Sequence, residues 1–154
     1  IYAVASLKEL LLPKALVVTP NLHEATELVG FDVVNLKTME QAAAVIWKMG
    51  AENVVVKGGH LMGDPCDILF DGDKMIYFKN KRIETKNTHG TGCTLSSAIA
   101  AYLAQGMNLP NAVEEAKEYI TMAIAEGADV CIGKGHGPLN HFFNPMKMIK
   151  TNQK

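Results

Sequence analysis

Two hydrophobic rhythms run along this 154-residue chain: stripes repeating every three to four positions, and short continuous apolar runs between turn residues. Ala3, Val4, Leu7, Leu10 and Leu11 form the first helical stripe, which stops at Pro13 because proline cannot continue a helix interior. Leu16-Val17-Val18-Thr19 reads as a short strand of the kind buried on both faces. Pro20-Asn21 ends it and opens a second helix. Asn21 is placed to cap, Glu24 follows three residues on, Leu22, Ala25, Leu28 and Val29 share a face, and Gly30 closes the element. A third helix is predicted from Thr38, with Gln41 completing a capping box, Met39, Ala43, Ile46 and Met49 as the buried stripe, and Gly50 at the end. Asn53-Val54-Val55-Val56-Lys57 is the next buried strand and runs into Gly58-Gly59-His60.

Beyond His60 the rhythm changes. Residues 66–70 and 74–78 flank Asp71-Gly72-Asp73, a hairpin signal. Arg82-Ile83-Glu84-Thr85 reads as an extended lead into a turn at Gly90, and the helix after it carries Leu95, Ile99 and Tyr102 on one face with alanines and serines between. Another helix is predicted over 110–126, striped by Val113, Ala116, Ile120 and Ile124 and ended by Gly127. A glycine-rich loop over 133–141, a short amphipathic end (Phe142, Phe143, Met146, Ile149) and a polar terminus at 151–154 complete the chain.

Strands alternating with helices predict an α/β class, with a mostly parallel sheet and one antiparallel hairpin in a single domain. Two clear parallel strands are too few for the predicted helices to cover, so further chain or a partner is expected to complete the sheet. The opening Ile1-Tyr2-Ala3-Val4, without methionine or cap, reads as the interior of a longer polypeptide.

Composition narrows function by exclusion. A net charge of −1, with acids and bases interspersed, gives no electrostatic footprint for nucleic acid or an acidic membrane. No apolar run approaches the ~20 residues of a membrane span, and no basic-then-apolar leader resembles a secretory signal. Cys66, Cys93 and Cys131 are irregularly spaced and form neither a disulfide framework nor a zinc site, which points to a reducing cytoplasm. Hydrophobic content of 48% suits a single domain with a real core.

Candidate chemistry gathers in three loops. In Lys86-Asn87-Thr88-His89-Gly90-Thr91-Gly92-Cys93-Thr94 a glycine-rich turn feeds a helix, so free backbone N–H groups and the positive end of the helix dipole point at one spot, an anion site. Cys93 stands at that helix start, where thiols ionise more readily, and could serve as a base toward a hydroxyl nucleophile; the alternative is a tight packing turn with a small buried cysteine. Asn21 and Glu24 follow a strand end and could hold Mg2+ directly or through water, or be a capping pair and nothing more. Lys57 could meet phosphate oxygens while Gly58 and Gly59 allow close approach, or be a solvated lysine at a turn. His60, His89, His136 and His141 have no metal-ligand spacing, the eight methionines read as core filler, and Lys117, among Glu114, Glu115 and Glu118, reads as a surface salt-bridge partner.

Several familiar signatures are excluded as written. The Walker A pattern fails around Gly127–Gly133, where five residues intervene and Gly135 follows Lys134. The dinucleotide pattern fails at Gly90, because Leu95 stands where its third glycine belongs, and His23-Glu24 lacks the second histidine of a zincin. The three loops share one edge of the predicted sheet and together offer a carboxylate, a lysine and an anion hole, the parts needed to transfer a phosphoryl group from a magnesium-bound nucleotide.

The motifs V-T-P-N-L-H-E-A (18–25), V-V-K-G-G-H (55–60), N-T-H-G-T-G-C-T-L-S-S-A-I-A (87–100), A-K-E-Y-I (116–120) and G-H-G-P-L-N-H-F (135–142) resemble those of the hydroxymethylpyrimidine/phosphomethylpyrimidine kinases of thiamine biosynthesis, in the ribokinase-like superfamily. The resemblance implies a three-layer α/β/α fold and MgATP-dependent phosphorylation of hydroxymethylpyrimidine and then of its monophosphate. It implies that Gly90, Thr91 and Gly92 form the anion hole, that Cys93 assists deprotonation of the attacking hydroxyl, that Asn21 and Lys57 contact ATP phosphates, and that Glu24 serves Mg2+, directly or through water. It also implies a homodimer in the full-length protein. Members of that family carry an N-terminal half with the first strands and most of the pyrimidine pocket, so residues 1–154 correspond to the C-terminal portion of one kinase domain, with the N-terminal strands missing. A pyridoxal or pyridoxine kinase of the same superfamily, and an inactive nucleotide-binding fragment, are the alternatives.

Overall fold

The computed structural model describes residues 2–145. Three strands, β1 (Val54–Val56), β2 (Cys66–Phe70) and β3 (Met75–Lys79), form a sheet in the order β1-β2-β3, both pairs antiparallel. Among the described residues the predicted parallel character is confined to isolated bridges: Val18 and Asn21 pair in parallel with Val54 and Lys57 on the free side of β1, and His89 pairs in parallel with Pro138. Residues 16–19 pair with one neighbour among the described residues, with Leu16 exposed and Val17 and Val18 half-buried, where the apolar run predicts a fully buried strand. The 82–85 stretch forms no strand.

Helices cover β1 on both faces of the sheet, so all its side chains are fully buried. Alternate residues point to opposite faces of a strand and feed two cores. Val54, Val56 and Ile68 pack with Ala25, Met39, Ala42, Ala43 and Ile46 from α2 (Leu22–Val29) and α3 (Leu36–Lys48). Val55 and Leu69 pack with Leu95, Ile99, Val113, Ala116, Ile120 and Ala123 from α4 (Thr91–Ala104) and α5 (Leu109–Ala125). The hairpin is as predicted, with Asp71 Oδ1 accepting from the N–H groups of Asp73 and Lys74 to close the turn.

Three local expectations are corrected. α1 (Tyr2–Ser6) gives way to a π turn at Leu7–Leu11 and a 3-10 turn at Leu12–Lys14 carrying Pro13 near its start. The predicted stripe is exposed along its whole length, Val4 and Leu7 at 37% and Leu10 at 66%, while Leu12, which the stripe did not include, is buried at 3% exposure. α3 begins at Leu36 rather than Thr38: Asn35, a stronger cap, accepts from the Thr38 N–H at 3.0 Å, and Thr38 bonds back to Asn35. Phe142 is exposed and no helix forms over residues 141–145; Met146, Ile149 and the polar 151–154 terminus lie outside the described residues.

Candidate active site

The first loop is a working helix cap. Asn21 Oδ1 accepts from the Glu24 N–H at 2.9 Å and Glu24 Oε2 accepts from the Asn21 N–H at 2.8 Å, a reciprocal box whose loss costs about 1 kcal/mol. The capping reading is thus realised, and it leaves room for the other, since Glu24 is 56% exposed.

The second loop is held tightly at its start. The Lys57 N–H donates to the Pro20 carbonyl at 2.8 Å and the Gly58 N–H to Asp67 Oδ1 at 2.7 Å. A Cβ on Gly58 would lie 2.0 Å from the Cys66 carbonyl oxygen, so only glycine passes. Arg82 wraps residues 59–63, donating to the carbonyls of Gly59, Leu61 and Gly63.

The third loop delivers the head of α4. Gly90 caps it at φ 89°, left-handed backbone that favours glycine, and Thr91 closes the turn on the Thr88 carbonyl through both its N–H and its hydroxyl. The Thr94 N–H returns to the Gly90 carbonyl. The N–H groups of Gly92 and Cys93 precede the first intrahelical bond and have no acceptor among the described residues. Asn87, fully buried, anchors the approach: its Nδ2 donates to the carbonyls of Gly127 and Val130 at 2.7 and 2.6 Å, and the His89 N–H donates to the Gly137 carbonyl.

The three loops converge. Lys57 Nζ lies 4.0 Å from Glu24 Oε2 and so close to Gly92 that a Cβ there would come within 3.2 Å of it. Thr19 and Ser96 join the first loop to α4 at 2.9 Å; because Ser96 spends its one hydrogen on the Gly92 carbonyl at 3.0 Å, Thr19 is the donor. Cys93 is exposed beside this cluster, as is Cys131, whereas Cys66 is buried. Burial first, and then the Asp67 carboxylate, push the Cys66 thiol above the usual range. A groove of about 430 Å³ between β3 and α5 holds neither Lys57 nor Cys93 and is separate from this cluster.

Lys117 is corrected. It is buried and its Nζ donates to Asp67 Oδ2 at 2.6 Å, fifty residues away, rather than pairing with Glu114, Glu115 or Glu118 on the surface. Its place was readable, because Lys117 falls on the same helix face as Val113 and Ile120 and Asp67 interrupts an apolar strand. Thr19, Ser96, Asn87 and Arg82 carry no comparable signal, since their partners are set by the tertiary fold.

Residues 2–140 match the family model described as phosphomethylpyrimidine kinase. The chain belongs to the phosphomethylpyrimidine kinase family. It is 52% identical over 140 residues to the thiamine biosynthesis bifunctional protein ThiED of Geobacter sulfurreducens, covering 90% of this chain and 28% of that protein. It is 51% identical over 142 residues to the hydroxymethylpyrimidine/phosphomethylpyrimidine kinase of Rhizobium meliloti, covering 91% of this chain and 53% of that one. Its backbone superposes on an ADP complex of Bacillus subtilis pyridoxal kinase with a TM-score of 0.86 at 39% identity, over 91% of this chain and 55% of that chain. This member of the kinase family thus spans about half, or less, of the length of these relatives. No helix among its described residues is long and apolar enough to cross a membrane.

Proposed function

We propose that the whole protein transfers the γ-phosphoryl group of ATP to the hydroxymethyl group of hydroxymethylpyrimidine and then a second one to the monophosphate, giving the diphosphate used in thiamine biosynthesis. The observation that carries this reading is the meeting of Lys57 Nζ with Gly92 at the head of α4, beside Cys93. Family membership and the ADP complex of the pyridoxal kinase support nucleotide as the phosphoryl donor.

In this reading Lys57 holds the phosphate oxygens, and Asn21 presents its side-chain NH2, which has no bonding partner among the described residues, to the same group. The unpaired N–H groups of Gly92 and Cys93, with the turn Gly90-Thr91-Gly92, receive the charge that builds on the transferred phosphoryl group. The Cys93 sulfur takes the proton of the attacking hydroxyl as the new oxygen–phosphorus bond forms, and the bond to the bridging oxygen of ADP breaks. The donor set suits Mg2+. No group of three or more acidic, histidine or cysteine side chains is assembled among the described residues, and a half-exposed Glu24 carboxylate matches an ion that keeps most of its waters and binds one or two carboxylates plus phosphate. Bound there, Mg2+ would neutralise charge on the nucleotide phosphates.

The parallel bridges at Val18 and Asn21, and the two cores on opposite sides of β1, support a ribokinase-like three-layer α/β/α domain with a mostly parallel sheet, of which this chain is the C-terminal portion. A homodimer in the cytoplasm fits the same reading, and the unpaired cysteines suit a reducing compartment.

A second reading, pyridoxal phosphorylation, is favoured by the high TM-score to the pyridoxal kinase. Incubating the whole protein with MgATP and either hydroxymethylpyrimidine or pyridoxal separates the two. Diphosphate formed from the pyrimidine is the expected result; pyridoxal phosphate as sole product overturns the first reading, and no ATP consumption with either alcohol overturns both.

A further inference from the structure

We propose that Asp67, neutralised by Lys117, is the positioning residue for Lys57, an inference that rests on the reading of Lys57 as the phosphate contact. Both oxygens of this buried carboxylate are used: Oδ1 accepts from the Gly58 N–H at 2.7 Å and Oδ2 from Lys117 Nζ at 2.6 Å. A buried ion pair is a poor device for stability alone, because well-packed apolar residues of the same volume often do as well or better. What this one supplies, and an apolar pair would not, is an acceptor aimed at one particular N–H.

That N–H belongs to the peptide unit directly after the Lys57 Cα. The peptide unit directly before it is held by the bond from the Lys57 N–H to the Pro20 carbonyl. The root of the lysine side chain is therefore pinned on both sides, and the Cys66 carbonyl, 2.0 Å from where a Gly58 Cβ would be, blocks retreat of the backbone. From that root the side chain, only 16% exposed, reaches Gly92 and Glu24. A lysine has about 2 kcal/mol of rotamer entropy to lose, so fixing its origin is an effective way to keep the ammonium at the head of α4. Lys117 keeps the carboxylate from being a lone buried charge, and α5, which carries it, packs directly against α4. The linkage runs from α5 through β2 and the Gly58 peptide to Lys57.

Paired substitutions in the whole protein test this without stranding a charge. Asp67→Leu with Lys117→Met removes the acceptor, whereas Asp67→Asn with Lys117→Met keeps an amide oxygen for the Gly58 N–H. Folding is checked by thermal melting; if the leucine pair does not fold, Asp67→Ser with Lys117→Met, too short to reach Gly58, takes its place. The expected result is a KM for MgATP raised ~10-fold or more in the pair lacking the acceptor and held within ~3-fold of wild type in the asparagine pair. In a Lys57→Met background the leucine pair should add no further loss, since effects acting through one residue are not additive. An unchanged KM in the folded leucine or serine pair, no rescue by asparagine, or an undiminished extra loss without Lys57 overturns the proposal. Unaltered kinetics in Lys57→Met alone is a distinct outcome: it overturns the phosphate role of Lys57, and this inference with it.

Discussion

Lys57 and Gly92 meet at the head of α4, where a methyl group on Gly92 would lie 3.2 Å from the lysine Nζ. The atom met is the tip of a flexible side chain, so Gly92→Ala displaces the ammonium without straining the backbone. Alanine also favours the helix over glycine by about 1 kcal/mol, so melting temperature should hold or rise. A displaced ammonium should nevertheless lower kcat/KM for MgATP by about tenfold, since small misplacements of a positioning charge are costly. Steady-state kinetics beside a thermal melt checks both halves, and unaltered kinetics would separate this contact from function.

Cys93 is exposed within the first turn of α4. Cys93→Ala should lower kcat by ~10²-fold or more, the scale of a lost general base, with modest change in KM for ATP. Normal turnover by the alanine variant would take the thiol out of the chemistry.

Glu24 has two candidate tasks that one substitution separates. Its Oε2 accepts the Asn21 N–H in the capping box, and its charge faces Lys57 and solvent. Glu24→Gln keeps an oxygen for the cap, so stability should move by less than ~0.5 kcal/mol. Loss of the charge should raise the Mg2+ concentration needed for half-maximal activity several-fold. An unmoved Mg2+ titration would leave Glu24 as a helix cap.

These features differ in how far the sequence announces them. The Asn21–Glu24 box, the Gly90 turn and the stripes of α4 and α5 involve residues three or four apart, and local spacing is what sequence patterns encode. The start of α3 was misplaced because Thr38 suits both the cap and the third helical position, and the stronger cap, Asn35, decides between them. The stripe over Ala3–Leu11 stays exposed because periodicity marks an apolar face without saying what covers it. Sheet direction and the Asp67–Lys117 pair depend on contacts up to fifty residues apart, so the sequence marks such residues as misfits without naming their partners. The site is therefore more legible in its chemistry than in its supports.

The thiols give a further check on the packing. Cys66 is buried and its thiol is pushed above the ordinary range, chiefly by burial, whereas Cys93 and Cys131 are exposed. A thiol reagent should titrate two cysteines in the native chain and three after denaturation. The unfolded chain gives up its Cys66 proton at a lower pH than the native one does, so the unfolded state binds fewer protons there. Cys66 accordingly favours folding at neutral pH and withdraws that contribution as pH rises above the ordinary thiol range. Prompt labelling of three native thiols would contradict this burial.

Gly58 and Gly59 adjoin in sequence but face opposite constraints. A Cβ on Gly58 would stand 2.0 Å from the Cys66 carbonyl oxygen, a backbone atom that no rotamer change can move, whereas one on Gly59 meets nothing within 4 Å. Gly58→Ala must therefore push β1 from β2 and disturb the bond to Asp67 Oδ1, and should cost about 2–4 kcal/mol. Gly59→Ala should stay within ~0.5 kcal/mol. Denaturant melts of the two variants measure the difference, and the kinetics sharpen it. Any folded Gly58→Ala protein should bind MgATP more weakly because the root of Lys57 has moved, while Gly59→Ala should leave that affinity near wild type. Equal stability of the two would mean that the loop after β1 is free to shift, and that Lys57 reaches α4 without a fixed backbone beneath it.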